Sequence, residues 1–490
     1  MGQSQSCNQL NEFGNACEMH NCIEKVVGLK SNSASPTDTW ILTFKDDTKY
    51  EDTPINKGFL KFFIDPGTLP YDYARLPTLK GLIYEIKVYK DIIRPLVDLK
   101  ICPNFIRYLG SATSCNYDSM IKILENNTYL GDTPMLKQKD ALEQSFQDNF
   151  NHMYAVKRGR SSINTELPPK SQPAEDAKNY EYSLLVNETI KPDTFTLGNL
   201  LIMIAKSGKK LETGEWGAIF QVIIACYAMS LSKMNHNDLH PGNIYIEPYS
   251  NRINYILGSR MNVYSIKCGV IAKIYDFDRS YSNRLGNNPL LEPQSGLGQY
   301  SQTNQFIPNR DMVKIFGYVY TAVGDEDKLK ILGIVSKIEG IDLLKNVYSS
   351  GNFLRNPDNN NNPLTPQEYE LNFNTTEEIL SNVASYAKSK VRNNQDVTNV
   401  LMNVDNLHIC VPQFFSTDGK IIGHSIAKQF AYHHQKRELS RQYKKDHSIH
   451  LQKDAEIVTL KNEAERMSIE NNALKQTIKD LEIRIGLYLG

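Results

Sequence analysis

After a polar leader, apolar and polar residues alternate through Ile23–Leu29, Thr39–Phe44 and Phe59–Ile64, the period-two pattern of half-buried strands. The period then changes. Leu82, Ile83, Ile86, Tyr89, Ile93 and Leu96 recur at three- and four-residue steps, which predicts a helix over Leu82–Val97 with Glu85 on or beside its buried face. Phe105–Leu109 and Tyr182–Val186 are predicted as further strands. Between them, at about 125–180, lies a segment with Lys157-Arg158-Gly159-Arg160, Pro168-Pro169 and Pro173 that reads as an exposed insertion. Trp216–Met234 is a strongly apolar helical run. A sheet-rich first half followed by a helix-rich second half predicts an α+β protein of two lobes.

The Asn-rich Pro357–Pro363 reads as a low-complexity loop. Beyond Asp454 a heptad pattern takes over, with a positions at Ile457, Ala464, Asn471, Ile478 and Ile485 and d positions at Leu460, Met467, Leu474 and Leu481. This predicts a parallel coiled coil over 454–488 and hence a homodimer. Asn471 in the core would favour an in-register pair, with Glu456 and Glu470 facing Lys461 and Lys475 of the second strand.

With 490 residues, 40% of them hydrophobic and 22% charged, the chain is long enough to bury a large core. Lys+Arg and Asp+Glu both number 55, so no net field draws nucleic acid to the whole chain and no specific nucleic-acid partner is expected. The eight cysteines form no CxxC pair and no signal peptide precedes them, which predicts reduced thiols in a cytoplasmic setting. Cys17, His20 and Cys22 match no usual zinc spacing and read as free thiols in a mobile N-terminal segment. The longest apolar stretch, Ile219–Leu231, is interrupted by Gln221 and Ser230, and no transmembrane helix is expected.

The chemistry concentrates in two short motifs. His236-Asn237-Asp238-Leu239-His240-Pro241-Gly242-Asn243 directly follows the long apolar helix and precedes the strand-like Ile244-Tyr245-Ile246. Ile274-Tyr275-Asp276-Phe277-Asp278 ends a second apolar strand. Upstream, Gly58–Ile64 carries Lys61 within an apolar run, where an unpaired ammonium would be costly and Glu85 is the natural partner. Cys102-Pro103-Asn104-Phe105-Ile106 and Asn309-Arg310-Asp311-Met312-Val313 complete the ordered set.

These motifs resemble the catalytic loop, metal-binding Asp-Phe-Gly, phosphate-binding lysine and helix glutamate of protein kinases. With Tyr84-Glu85, Val88-Tyr89 and Tyr275–Ser280 the set looks like serine/threonine-protein kinases of nucleocytoplasmic large DNA viruses, over about 23–425. The resemblance implies a bilobal protein-kinase-like fold, with an N-lobe at 23–190, a C-lobe at 191–425 and a basic linker helix at 426–453. It implies ATP with Mg²⁺, or Mn²⁺ in its place, as cofactors and a hydroxyl-bearing substrate, most simply a protein. Asp238 would position or deprotonate the acceptor, Asn243 and Asp276 would hold the metal, and Lys61 with Glu85 would orient the phosphates. Val27 and Gly28 would border the nucleotide, and Asp311 would anchor the catalytic loop.

Five departures bear on this picture. Gly28 is followed by the serine-rich Ser31–Ser35 in place of a glycine-rich lid, and Asp278 stands where the family has glycine. His240 replaces the lysine that steadies the transferring phosphoryl group, as in kinase-like enzymes acting on small molecules. Asn237 replaces the arginine that reads a phosphorylated activation loop, and no Ala-Pro-Glu follows. Two alternatives therefore stand beside the kinase: a small-molecule phosphotransferase on the same fold, and a pseudokinase or assembly scaffold.

The leader 1–22 opens with Met1-Gly2-Gln3-Ser4-Gln5-Ser6, which fits the N-myristoylation pattern at Gly2, with Cys7 beside it for palmitoylation. Lys436, Arg437, Arg441, Lys444 and Lys445 offer charge toward anionic lipid, although a solvated helix face explains them as well. The expected location is the cytoplasm, membrane-associated where acylated, in an infected host or virion.

Overall fold

The computed structural model describes residues 16–28, 38–46, 48–50, 53–65, 67–68, 77–125, 179–292, 303–337, 344, 365–391, 396–397, 400, 406–422 and 463–479. Gly2, Cys7, Ser31–Ser35, most of the 125–180 insertion, Pro357–Pro363 and the basic 426–453 stretch lie outside them. The chain divides into two units, Met1–Ala427 and Lys428–Gly490.

In the first unit, strands β1 (Ile23–Gly28), β2 (Asp38–Phe44), β3 (Lys57–Ile64), β4 (Tyr108–Asn116) and β5 (Glu181–Glu188) form an antiparallel sheet in the order β1-β2-β3-β5-β4. Alternation sets the inward face of β2, where Trp40, Leu42 and Phe44 are buried. Helix α1 (Pro77–Val88) starts at a proline, whose missing N–H costs nothing in a first turn. It runs into a π-helical turn, Tyr89–Ile93, and then α2 (Arg94–Asp98). The predicted single helix is thus present with a break in its phase. Phe105 makes only a bridge to Ile274, and the strand predicted from it begins at Tyr108.

Helix α3 (Tyr117–Glu125) follows β4, and α4 (Leu197–Ser207) is closed by a Thr196–Asn199 capping box and by Gly208 in a left-handed conformation. Helix α5 (Thr213–Leu231) forms the centre of the unit, with every side chain from Trp216 to Met229 buried. It stops at Leu231, short of the predicted Met234, because Met234–Asn235 pairs with Tyr281–Ser282. Gln221, the polar break in α5, accepts from Asn104 Nδ2 and Ala272 N and donates to Val270 O. Among the described residues α5 is the helix long and apolar enough to cross a membrane, and it lies mostly buried in the protein.

Strands β6 (Ile244–Pro248) and β9 (Val270–Ile274) pair antiparallel, with the two-residue strand Phe195–Thr196 on the outer edge of β6. The hairpin of β7 (Ile253–Leu257) and β8 (Asn262–Ile266) takes β10 (Leu407–Cys410) as a parallel third strand. Helices α6 (Arg310–Ala322), α7 (Asp325–Val335), α8 (Pro366–Asn372) and α9 (Thr376–Tyr386) complete the helical half, with Tyr386 stacked on Trp216 at 4.9 Å. The architecture is mixed α+β, built from largely antiparallel sheets and helices.

Two expectations near the N-terminus change. Ala16–Cys22 is a 3-10 helix with Met19 and Cys22 buried, so order begins before residue 23. Cys22 and Cys115 are disulfide-bonded, whereas Cys102, Cys226, Cys268 and Cys410 are free. Sequence spacing does not reveal which sulfurs a fold gathers, and a bonded Cys22 is no longer a metal-ligating thiolate. In the second unit, residues 463–479 are helical, with Ile469, Leu474 and Ile478 exposed.

Candidate functional site

Strand β3 lies between β2 and β5 and carries Lys61 opposite Thr39 and Leu185. The Lys61 Nζ lies 2.7 Å from Glu85 Oε2 on α1 and 3.3 Å from Asp276 Oδ1. Burial opposes the ammonium charge, but Glu85, Asp276 and Asp278 together outweigh it and hold Lys61 protonated. Burial pushes the Glu85 carboxyl up against the pull of Lys61. At Asp276 burial acts upward too, yet Lys61, His236 and Arg279 keep the carboxylate below its ordinary range. Its side chain is 34% exposed against 2% for Glu85 and 12% for Lys61, so Asp276 is the member of the trio most open to solvent.

The loop after α5 is fixed by polar groups from three directions. Asp311, in the first turn of α6, accepts from His236 N at 2.8 Å, Asn237 N at 3.1 Å and Asn235 Nδ2 at 3.1 Å. Asn237 has a positive φ of 63°, which asparagine tolerates better than most residues. Its side chain accepts from Arg310 Nη1 and donates to the carbonyls of Arg279 and Thr303, while Lys314 Nζ donates to its backbone carbonyl. The His236 Nε2–H donates to Tyr275 O, and the ring packs 4.9 Å from Phe277.

These contacts fix the backbone next to Asp238, which is buried apart from a small part of its side chain, and Arg279 Nη1 lies 3.0 Å from Asp238 Oδ2. Asn243, ending the 3-10 turn Pro241–Asn243, donates from Nδ2 to Asp238 O at 3.1 Å, and Tyr275 N returns a bond to Asn243 O. His240 Nδ1 accepts from Gly242 N at 3.0 Å, so the ring is neutral with its proton on Nε2. Burial lowers the His240 pKa, with Asp238 and Asp276 opposing. A Cβ at Gly242 would come within 2.8 Å of this ring, so glycine sets the imidazole's position.

Asp276 also has positive φ, 68°, and its N–H donates to Tyr89 Oη at 3.3 Å. Phe277 is fully buried against Tyr89, Phe105 and His236, which pins the residues on either side. Asp278 Oδ1 is buried without a hydrogen-bond partner, and burial together with Asp276 pushes its carboxyl well up. The carboxyl oxygens of Asp276 and Asp278 and the amide oxygen of Asn243 are hard donors of the kind that Mg²⁺ or Mn²⁺ takes, and a bound cation would favour the ionised form of Asp278. Among the described residues no three His, Cys, Asp or Glu side chains form a preformed cage, so phosphate oxygens would have to complete the coordination.

The structure therefore brings Lys61, Glu85 and Asp276 together, and separately gathers Asp238, His240 and Asn243 in one loop anchored by Asp311. Val27 and Gly28 end β1, opposite Ile41 and Trp40 of β2, with β2 lying between them and the strand that carries Lys61. Sequence reading assigned no role to Arg279, Arg310 and Lys314. Arg310 and Lys314 are charged residues on a buried face, which hydrophobic periodicity cannot find, and only the run Asp278-Arg279-Ser280 marks the third. No protein-family model matches the chain, and no curated protein matches it.

Proposed function

We propose that the chain is an ATP- and Mg²⁺-dependent phosphotransferase with a bilobal protein-kinase-like fold, acting as a serine/threonine-type protein kinase of the kind found in large DNA viruses. The observation that carries this reading is the convergence on one ammonium, Lys61, of Glu85 from α1 and Asp276 from after β9. An isolated core ion pair needs no partly exposed third carboxylate, whereas a phosphate clamp beside a cation does. The Asp311-anchored loop supports the same reading, since it fixes the backbone directly before a second carboxylate, Asp238.

In this reading Lys61 orients the nucleotide phosphates, Asn243 and Asp276 hold Mg²⁺ with Asp278 within reach, and Asp238 receives the acceptor proton. The metal supplies charge neutralisation for the phosphates. The test is ATP turnover by purified full-length chain against a generic protein panel, with Asp238→Asn as control. Metal-dependent transfer that the control loses is expected, and turnover equal in both proteins would overturn the assignment.

A neutral His240 favours a small-molecule hydroxyl as the alternative acceptor, and the exposed Leu474 and Ile478 of helix 463–479 favour a scaffold that dimerises through its coiled coil. Sedimentation at micromolar concentration separates dimer from monomer. N-myristoylation at Gly2, assisted by Cys7, would place the kinase on a cytoplasmic membrane face. Intact mass from a eukaryotic host decides that point, and a bare Gly2 amine would remove the anchor.

A further inference from the structure

We propose that Arg279 is a further catalytic residue of this site, its guanidinium contacting the transferring phosphoryl group. The proposal rests on the phosphotransferase reading and adds to it the group that meets the phosphoryl charge.

A transferring phosphoryl group spreads negative charge over its equatorial oxygens, and a cation beside them is required. His240 cannot provide it, because its Nδ1 is committed as an acceptor to Gly242 N. Lys61 lies at the far end, between Glu85 and Asp276. Arg310 and Lys314 are about 5% exposed, and they donate to Asn237 from behind the loop. Arg279 is placed differently. Its side chain is 33% exposed, and its Nη1 lies on the carboxylate assigned to the acceptor proton.

The backbone around Arg279 is clamped. Asn288 Nδ2 donates to Asp278 O at 2.7 Å and to Ser280 O at 2.8 Å, Asn237 Nδ2 donates to Arg279 O at 3.1 Å, and Ser280 Oγ closes onto Phe277 O. With both neighbours held, only the side chain is left to move, and its arc starts on Asp238. A planar guanidinium also suits phosphate oxygens better than an ammonium does.

In the transfer step the acceptor hydroxyl oxygen bonds to the γ-phosphorus with its own electron pair. The bond from that phosphorus to the β–γ bridging oxygen breaks, leaving its pair on ADP, and the hydroxyl proton passes to the Asp238 carboxylate. Protonation cancels the charge that held Arg279, so its N–H donors turn to the phosphoryl oxygens as charge builds there. One proton transfer thus both activates the acceptor and releases the cation.

The test uses the full chain with Mg²⁺ and ATP, dephosphorylated casein as acceptor, and kcat and KM resolved separately. Arg279→Gln is expected to lower kcat by roughly 100-fold with the KM for ATP within about threefold. Arg279→Lys, which keeps the charge if the first variant folds poorly, should retain an intermediate kcat. Adding His240→Lys to Arg279→Gln should recover about tenfold by returning a cation to the loop. An unchanged kcat in Arg279→Gln overturns the proposal, and a raised kcat overturns it by making Arg279 a restraint on Asp238, while the phosphotransferase reading stands in both cases. Absence of turnover in the wild-type chain removes that reading, and the role of Arg279 with it.

Discussion

On the sheet side of the site, one buried lysine is held by side-chain carboxylates alone, Glu85 at 2.7 Å and Asp276 at 3.3 Å. On the helical side, residues 235–238 are gripped by Asp311, Arg310, Lys314 and the carbonyl of Tyr275, so that losing any one bond leaves several. The first arrangement places charge. The second fixes a backbone. A buried ion pair contributes little net stability because desolvation offsets attraction, whereas an anchored loop keeps its buried N–H groups satisfied. Activity and stability should therefore separate between the two sides.

The largest effect should come from the carboxylate that joins them. Asp276→Asn is expected to lower turnover at least about a thousandfold while circular dichroism stays native, because charge neutralisation at phosphate supplies much of the rate. Turnover within tenfold of wild type would detach the site from its chemistry. Asp311→Ala should instead act on stability, at roughly 3–5 kcal/mol by urea unfolding, since it strands His236 N and Asn237 N in the interior. A loss under about 1 kcal/mol would mean that the loop is held by its other contacts alone.

On the sheet side, Lys61→Met and Glu85→Gln should each cost activity, and the double variant should cost about as much as either single one. Additive losses would show that the 2.7 Å contact is incidental.

A smaller effect belongs to the sheet of β7, β8 and β10, outside the candidate site. The His408 Nδ1 is buried without a partner, and burial, aided by Lys100, lowers its pKa to about 3. The unfolded chain takes up its proton near pH 6.5 and the folded chain does not, so the stabilising contribution is complete above about pH 6.5 and is lost as pH falls toward 3. The slope from this one group is at most about 1.4 kcal/mol per pH unit. His408→Leu should flatten urea midpoints between pH 6.5 and 4.5, and identical slopes in both proteins would place the acid sensitivity elsewhere.

Much of the core was legible in sequence because local period reports local structure. β1, β2, β3, β5 and α5 lie where alternation and apolar runs predict them, and the Lys61–Glu85 contact follows from the cost of an unpaired buried ammonium. The parallel pairing of β7 with β10 was not legible, since Asn254 meets Leu407 across a separation that no window spans. Nor were Arg310 and Lys314, whose burial only becomes affordable once Asn237 is folded over them. The disulfide-bonded Cys22 and Cys115 were misread for the same reason: proximity in space had no local trace.

The π-helical turn at Tyr89–Ile93 amounts to one residue too many in an otherwise regular helix. Each residue turns an α-helix by about 100°, so the surplus lets two faces be aimed independently. Upstream, Glu85 points at Lys61; downstream, Leu96 is sealed in the core; between them, Tyr89 reaches the Asp276 amide. Removing one residue from the turn would straighten the helix and force a choice between those orientations. A single-residue deletion here is thus expected to cost more than a point substitution at a neighbouring position, because it re-aims a whole face where a substitution changes one side chain.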